Sequence, residues 1–324
     1  MFVKTKKTKE AITGYVFLLP NIIGFITFVL LPVLISLFLS FTSYDLFGDT
    51  DSVAEFMKKY FIGFKNIYKL LFQFDADGYA TSNILCFWNY LGDKCLWYFL
   101  GNTLYFMLMI PIGMAVSLAL ALAMNQKLKG IVVFRTIYFL PVISSMVACA
   151  ILWRWIYNPE YGLLNGILQI LGVAKENLPQ WLSSTLWAKP AIMLMLIWKS
   201  AGYNMLLYLA ALQGINQELY EAGDVDGATS FDKFWNITLP MLRPVNFFII
   251  IMSIIGGLQM FGEIYVMTGG GPGDSTTTIV YYIYQNAFVW FRMGYAAALS
   301  WVLFVMIFSA TWIQWKYLGQ KFEI

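Results

Sequence analysis

Histidine is absent from this 324-residue sequence, and charge is scarce: 12% of residues are Asp, Glu, Lys or Arg, against about 25% in a soluble domain. Without histidine, a serine or cysteine nucleophile has no usual base partner, and the commonest metal ligand is missing. The three cysteines, at 86, 95 and 149, form no cluster with metal-ligand spacing, so no metal site is expected. A net charge of +3 is too small to point to nucleic acid. No phosphate-binding loop is present. "GGGPGDSTTT" at 269–278 is glycine-rich but lacks the Lys-Ser/Thr pair that holds phosphate and magnesium. It comes after an apolar run rather than a strand, and reads as a tight turn. No catalytic residue and no bound cofactor is expected of this chain.

What the sequence has is apolar length. Hydrophobic residues make up 60%, and the mean hydropathy is +0.66. Ala11 to Tyr44 carries no charge over 34 residues, where a bilayer core needs about 20. Lysines at 4, 6, 7 and 9 precede it, as in a signal peptide, but a signal's apolar stretch is about 7–15 residues, so a retained span is expected. The pattern predicts an all-α membrane protein with six transmembrane helices, at about 12–41, 97–124, 134–157, 190–213, 245–267 and 294–317. Lipid leaves backbone groups unpaired unless they pair within a helix, which is why helices are the expected solution. Prolines 20, 32, 111 and 141 fall inside these spans and predict kinks.

Six spans place both termini on one side. That side collects Lys4, Lys6, Lys7, Lys9, Lys127, Lys129, Arg135, Lys233, Arg243, Lys316 and Lys321. The short loops opposite carry Lys175, Lys189 and Arg292. Basic residues in short loops favour the cytoplasm. The termini and the 214–244 segment are therefore expected to be cytoplasmic, and the 42–96 loop and the glycine-rich turn external. Within 42–96, Phe56, Tyr60, Phe64, Ile67 and Leu71 recur at helical spacing among lysines, which predicts one interfacial helix. Cys86 and Cys95 lie in the same loop, as a disulfide if it faces an oxidising compartment or as two free thiols. Three ionisable residues fall in or near spans. Arg154 and Glu263 sit near outer ends, where snorkelling accounts for them. Lys199 is deeper, and two readings stand for it: contact with a substrate, or pairing with another helix.

One polar segment interrupts the apolar pattern: "EAGDVDGATSFDKFWNITLP", residues 221–240. It reads as a helix ending near Gly223, a turn in which Asp226 caps the next helix, and that second helix stopping before Pro240. Small residues at Ala222, Gly223, Gly227 and Ala228 would let another surface approach closely. A loop of this length with its own helices suits insertion into a partner's groove.

This segment resembles the EAA loop of bacterial ATP-binding-cassette (ABC) importer permeases. The resemblance runs through Glu221, Ala222, Asp226, Gly227, Ala228, Phe234, Ile237, Leu239, Pro240 and Pro244, and departs at Gly223 and Asn216. "FLGNTLYFML", "FRTIYFLPVISSMVACAILWRWIYNPEYGLLN" and "VMTGGGPGDSTTTIVYYIYQNAF" also resemble carbohydrate permeases of this kind. Gly270, Gly271, Pro272 and Thr276 typify the first of the two paired permeases in maltose-type systems. The resemblance implies a type I importer permease fold in the bacterial cytoplasmic membrane, importing a carbohydrate, in particular an oligosaccharide. The implied partners are a second homologous permease, two ATPase subunits carrying ATP and magnesium, and an extracytoplasmic solute-binding protein. Glu221, Ala222, Gly223, Asp226, Gly227 and Ala228 would dock the ATPase.

In such permeases the sugar sits at mid-membrane, between the helices that flank the loop. Leu196, Ser200 and Tyr203 share one face of the fourth span, and Ser253, Gly257 and Met260 share one face of the fifth. With Lys199 they form the expected substrate path. The alternative for these small residues is plain helix packing. The rival function is an ion-coupled secondary transporter or channel subunit, although no internal repeat is evident.

Overall fold

The structure, a computed structural model, describes residues 6–45, 53–71, 73–74, 80–81, 96–126 and 129–318. Cys86 and Cys95 lie outside the described residues. Helices dominate; the described strands are the two-residue antiparallel pair Gln73–Phe74 and Ala80–Thr81. Four helices are long and apolar enough to cross a membrane: Ile12–Ser40, Leu96–Met124, Ala188–Gln213 and Met293–Tyr317. Two bent pairs bring the number to six if each counts as one span. These are Ile131–Ile143 with Met146–Ile156, bent by 102°, and Ser230–Met241 with Arg243–Leu258, bent by 62°. The described residues fall into two compact units, one within 1–81 and 283–302, the other within 82–282 and 303–324.

In the first unit, the Ile12–Ser40 helix passes through Pro32 without stopping. A π turn at Ile26–Leu30 precedes that proline, and the Leu31 N–H donates to the Ile26 carbonyl. Proline lacks an N–H and clashes with the carbonyl four residues back, and one wide turn relieves both problems. The expected single interfacial helix is two short ones, Val53–Tyr60 and Lys65–Leu71. Between them the chain lies beside the end of the first helix: the Ser43 amide donates to the Tyr60 carbonyl at 2.8 Å, and the Ile62 amide to Phe41 at 3.0 Å. The Asn66 amide side chain donates to the carbonyls of Ser40 and Thr42. Phe56 packs against Phe38 and Tyr44, and Phe64 against Phe41. These aromatics fasten the loop to the helix end, which the helical spacing alone did not reveal.

The second unit is organised around Ala188–Gln213, whose buried residues run from Ala188 to Leu212. A core at the end nearest the 214–244 segment is formed by Ala121, Met205, Tyr208, Leu209, Leu212, Leu242 and Ile249. Inside that core the Tyr208 hydroxyl donates to the Asn246 side chain at 2.6 Å. Gly202 touches the Tyr138 backbone so closely that a Cβ there would overlap its carbonyl. The Ile131–Ile156 segment breaks after Pro141, with Ser144 and Ser145 extended (ψ 141° and 139°). The break frees carbonyls that a continuous helix would have used.

The glycine-rich run is a packed plug rather than a solvated turn. Ser275, Thr276, Thr277 and Thr278 are all buried. The Asn102 side chain donates to the carbonyls of Asp274 and Thr277 at 3.1 and 3.0 Å. The Thr278 hydroxyl donates to Met260, and Thr103 accepts from the Ile279 amide. Gly270 adopts φ +86°, and a Cβ there would overlap the Thr277 side chain. Asn102→Ala takes the side-chain donor from the buried Thr277 carbonyl, at about 1–3 kcal/mol, and one of two donors from the Asp274 carbonyl, which keeps the Thr277 amide. It should lower the melting temperature of the purified protein in detergent by several degrees; an unchanged melting curve would show that the plug does not depend on this side chain.

Candidate functional site

The facing surfaces of Ala188–Gln213 and Arg243–Leu258 enclose a cavity of about 220 Å³. Leu196, Ser200, Ser253, Gly257 and Met260 all line it, so the two expected faces do meet. Tyr203 does not line it; its side chain is exposed elsewhere on the same helix. Lys199 does not line it either. Its ammonium donates to the Pro141 and Ser144 carbonyls at 3.2 and 2.9 Å, and so caps the break in the neighbouring helix. Of the two readings for Lys199, the geometry matches pairing with another helix.

Two polar lining residues escaped the sequence reading: Asn204 and Glu263. Asn204 is one helical turn beyond Ser200, on the face already singled out, and its polarity in an apolar helix was the available signal. Glu263 was assigned to an outer end, where it would snorkel; instead it is half-buried in the cavity wall. The chain leaves its helix at Gln259 and Met260 and restarts at Gly262–Met267, which turns Glu263 back towards the bundle. Arg154, the other residue read as snorkelling, donates to the Val266 carbonyl at 3.2 Å. Among the described residues, nothing in the chain hydrogen-bonds the side chains of Asn204, Ser253 or Glu263. Gly257 is tight, with a Cβ there meeting Met107 at 3.3 Å, whereas a Cβ on Gly256 meets nothing within 4 Å.

A larger cavity, about 710 Å³, occupies the angle of the broken span, beside Tyr138, Pro141, Leu152 and Trp198. Its walls are almost wholly apolar, and the Ser144 hydroxyl there already donates to the Leu140 carbonyl. A polar ligand buried there would leave its own groups unsatisfied. The smaller cavity, with four polar side chains, is the better candidate for a hydroxylated solute. Among the described residues, no group of acids and cysteines is arranged to hold a metal ion.

The 214–244 segment forms two helices, Gln217–Val225 and Ser230–Met241. The first runs past Gly223 to Val225, capped by Asn216, whose side chain accepts from the Glu218 amide at 3.1 Å. The second is capped by Thr229, not by Asp226. Thr229 and Asp232 exchange bonds in a capping box. Bonds from the Thr229 hydroxyl and amide hold the Asp232 carboxyl below its ordinary range. This helix ends one residue past Pro240, at Met241, before the 62° bend, and a π turn at Phe234–Thr238 precedes the proline, as at Pro32.

The expected docking residues divide between inside and outside. Gly223 faces the second helix, where a Cβ would meet Ile237 at 3.4 Å, Lys233 at 3.6 Å and Ala228 at 3.8 Å. An ion pair from Lys233 to Asp224 closes the same joint. Glu221, Ala222, Asp226 and Gly227 are exposed. Beside them Val225 and Phe231 are 88% and 70% exposed, and Trp235 is exposed too. Phe231 and Trp235 pack against each other, with ring centroids 6.0 Å apart.

This chain is 39% identical to the lactose transport system permease protein of Rhizobium radiobacter, over 72% of this chain and 79% of that one. It is 34% identical to the trehalose/maltose transport system permease protein of Thermococcus litoralis, over 96% and 95%. It superposes with a TM-score of 0.74 and 25% identity on a chain of a bacterial alginate ABC transporter, solved in complex with an alginate pentasaccharide-bound periplasmic protein. That match covers 95% of this chain and 94% of the other. The fold, with four long apolar helices and two bent pairs, is therefore the permease fold of an ABC importer. Residues 96–322, which hold both the cavity and the two-helix loop, match the family of binding-protein-dependent transport system inner membrane components, and the chain belongs to that family.

Proposed function

We propose that this chain forms one half of the pore of an oligosaccharide importer, and that a sugar passes through the cavity between Ser200 and Ser253. The observation that carries this reading is the convergence of Ser200, Asn204, Ser253 and Glu263, from separate elements, on one cavity otherwise lined by apolar residues and glycine. Few, converging polar groups on an apolar wall are how small-molecule sites orient a ligand. The named relatives act on lactose, on trehalose and maltose, and on alginate, which supports a carbohydrate here. Family membership sets aside the ion-coupled secondary transporter. A second, homologous permease would supply the other wall of the pore. Two ATPase subunits, which bind ATP and magnesium, would dock on the exposed face of the two-helix loop. An external binding protein would deliver the sugar.

The cavity is tested by filling it. Gly256→Leu adds a side chain where its Cβ meets no neighbour, so the bundle should still assemble. Overpacking a ligand costs about 1–3 kcal/mol, so the apparent affinity for sugar in reconstituted transport should fall about tenfold or more. Unchanged transport by an assembled Gly256→Leu complex would place the path elsewhere.

Docking is tested at Ala222 and Phe231. Gly227 is a poor probe, since its φ of +74° strains any side chain. Ala222→Trp and Phe231→Ser should each weaken ATPase association by more than about tenfold, as loss of a buried anchor does. Co-purification at wild-type stoichiometry, with coupled hydrolysis, would count against this surface.

Orientation is tested by labelling with a membrane-impermeant thiol reagent in intact cells. Ser275 is buried and unsuitable. Glu176→Cys, on an exposed turn, should react, and Ser230→Cys should be protected until the membrane is opened. The reverse pattern would put the termini outside.

A further inference from the structure

We infer that Glu263 is a specificity-determining residue that makes this cavity favour uncharged sugars over anionic ones. The inference rests on reading the cavity as the sugar's path. Glu263 is the one ionisable residue among those that line it; the others are apolar, glycine, serine or asparagine. Lys199 and Arg154, on neighbouring elements, are committed to backbone, and Lys189, at the start of the Lys199 helix, sits over the Tyr105 ring at 4.9 Å. Lys199 donates to Pro141 and Ser144, and Arg154 donates to Val266. Among the described residues, neither forms an ion pair with Glu263, and no hydrogen bond ties its side chain into the bundle. A carboxylate with no structural partner in an apolar bundle is costly, and such groups mark functional cavities.

The chemistry of the wall is set by its donors and acceptors. A carboxylate only accepts hydrogen bonds, while Ser200, Ser253 and Asn204 both donate and accept. A vicinal diol on a neutral sugar can donate both hydroxyls to the carboxylate, in charge-assisted bonds. A uronate or a phosphate ester would bring a second negative charge into a space of about 220 Å³, where the low dielectric strengthens repulsion. The wall thus both attracts the neutral ligand and rejects the charged one, the two arms that specificity requires.

The test uses the complete purified complex, with Ser200→Cys placed in a background whose native cysteines are replaced by alanine. Its labelling rate is measured with two methanethiosulfonate reagents of matched size, one bearing trimethylammonium and one bearing sulfonate. The cationic reagent should react about tenfold faster, as expected for a charge within a Debye length, and Glu263→Gln should abolish the preference. A neutral trisaccharide should slow labelling; the same trisaccharide carrying a terminal uronate should not, until Glu263 is replaced by Gln. Equal rates for the two reagents, or equal protection by the two sugars, with Glu263 in place would overturn the inference and leave the path reading standing. No reaction with either reagent, while Ser230→Cys on the loop reacts, would overturn both.

Discussion

A freed backbone carbonyl has few places to go in an apolar bundle, and much of this structure is shaped by how each one is satisfied. At the break after Pro141, Lys199 reaches across from the adjacent helix and donates to two carbonyls. At the turn after Met124, the Arg135 guanidinium donates to the Met124 carbonyl at 2.7 Å. At the glycine-rich plug, Asn102 donates to two more, and at the end of the first long helix Asn66 does the same. An unpaired buried carbonyl costs about 1–3 kcal/mol, so a helix can break inside a bundle only where a donor stands ready. Lys199 and Asn102 come from elements distant in sequence, and the breaks they serve are therefore also tertiary clamps.

That requirement shapes the cavity. Lys199 and Arg154, on elements that neighbour the cavity, both serve carbonyls rather than a ligand. The cavity is left with neutral hydroxyl and amide chemistry and a single acid. The same break that occupies Lys199 also opens the larger cavity beside Pro141 and Trp198. With its hydroxyl already bonded within the helix, that space offers a hydroxylated solute little to bond. The two cavities lie on different sides of the Ala188–Gln213 helix and share Ile197. One helix thus carries a polar face and an apolar one at mid-length, which is why its charged residue could not be assigned from sequence spacing alone.

The helices and the sharing of a face by Leu196 with Ser200, and by Ser253 with Gly257, were legible, because a period of 3.6 residues is a local property. Tyr203 was misplaced by the same logic: the wall formed by Ile197, Ser200 and Asn204 lies to one side of Leu196, and seven residues from Leu196 stops about 20° short of two turns, which puts Tyr203 on its other side. Glu263 was out of reach because its position depends on where the preceding helix stops. Pro32 misled in the opposite direction. It reads as a kink, yet a π turn before it carries the helix on, and nothing in the local composition announces that turn; Pro240, read as the end of its helix, stands one residue from that end.

The two-helix loop shows how a motif can mix folding with recognition. Gly223 and Ala228 are small because the second helix lies against them, with Ile237 and Lys233 at ordinary packing distance. Thr229 and Asp232 start that helix, and the Lys233–Asp224 ion pair closes the joint. These residues hold the shape whether or not a partner is present. Glu221, Ala222, Val225 and Phe231 have no such duty and face outward. A side chain larger than alanine at Gly223 would deform the loop itself, whereas a substitution at Ala222 or Phe231 would alter the surface alone. Only the outward group reports on the contact itself, and reading the motif as one undivided docking site would attribute to a partner what the loop does for itself.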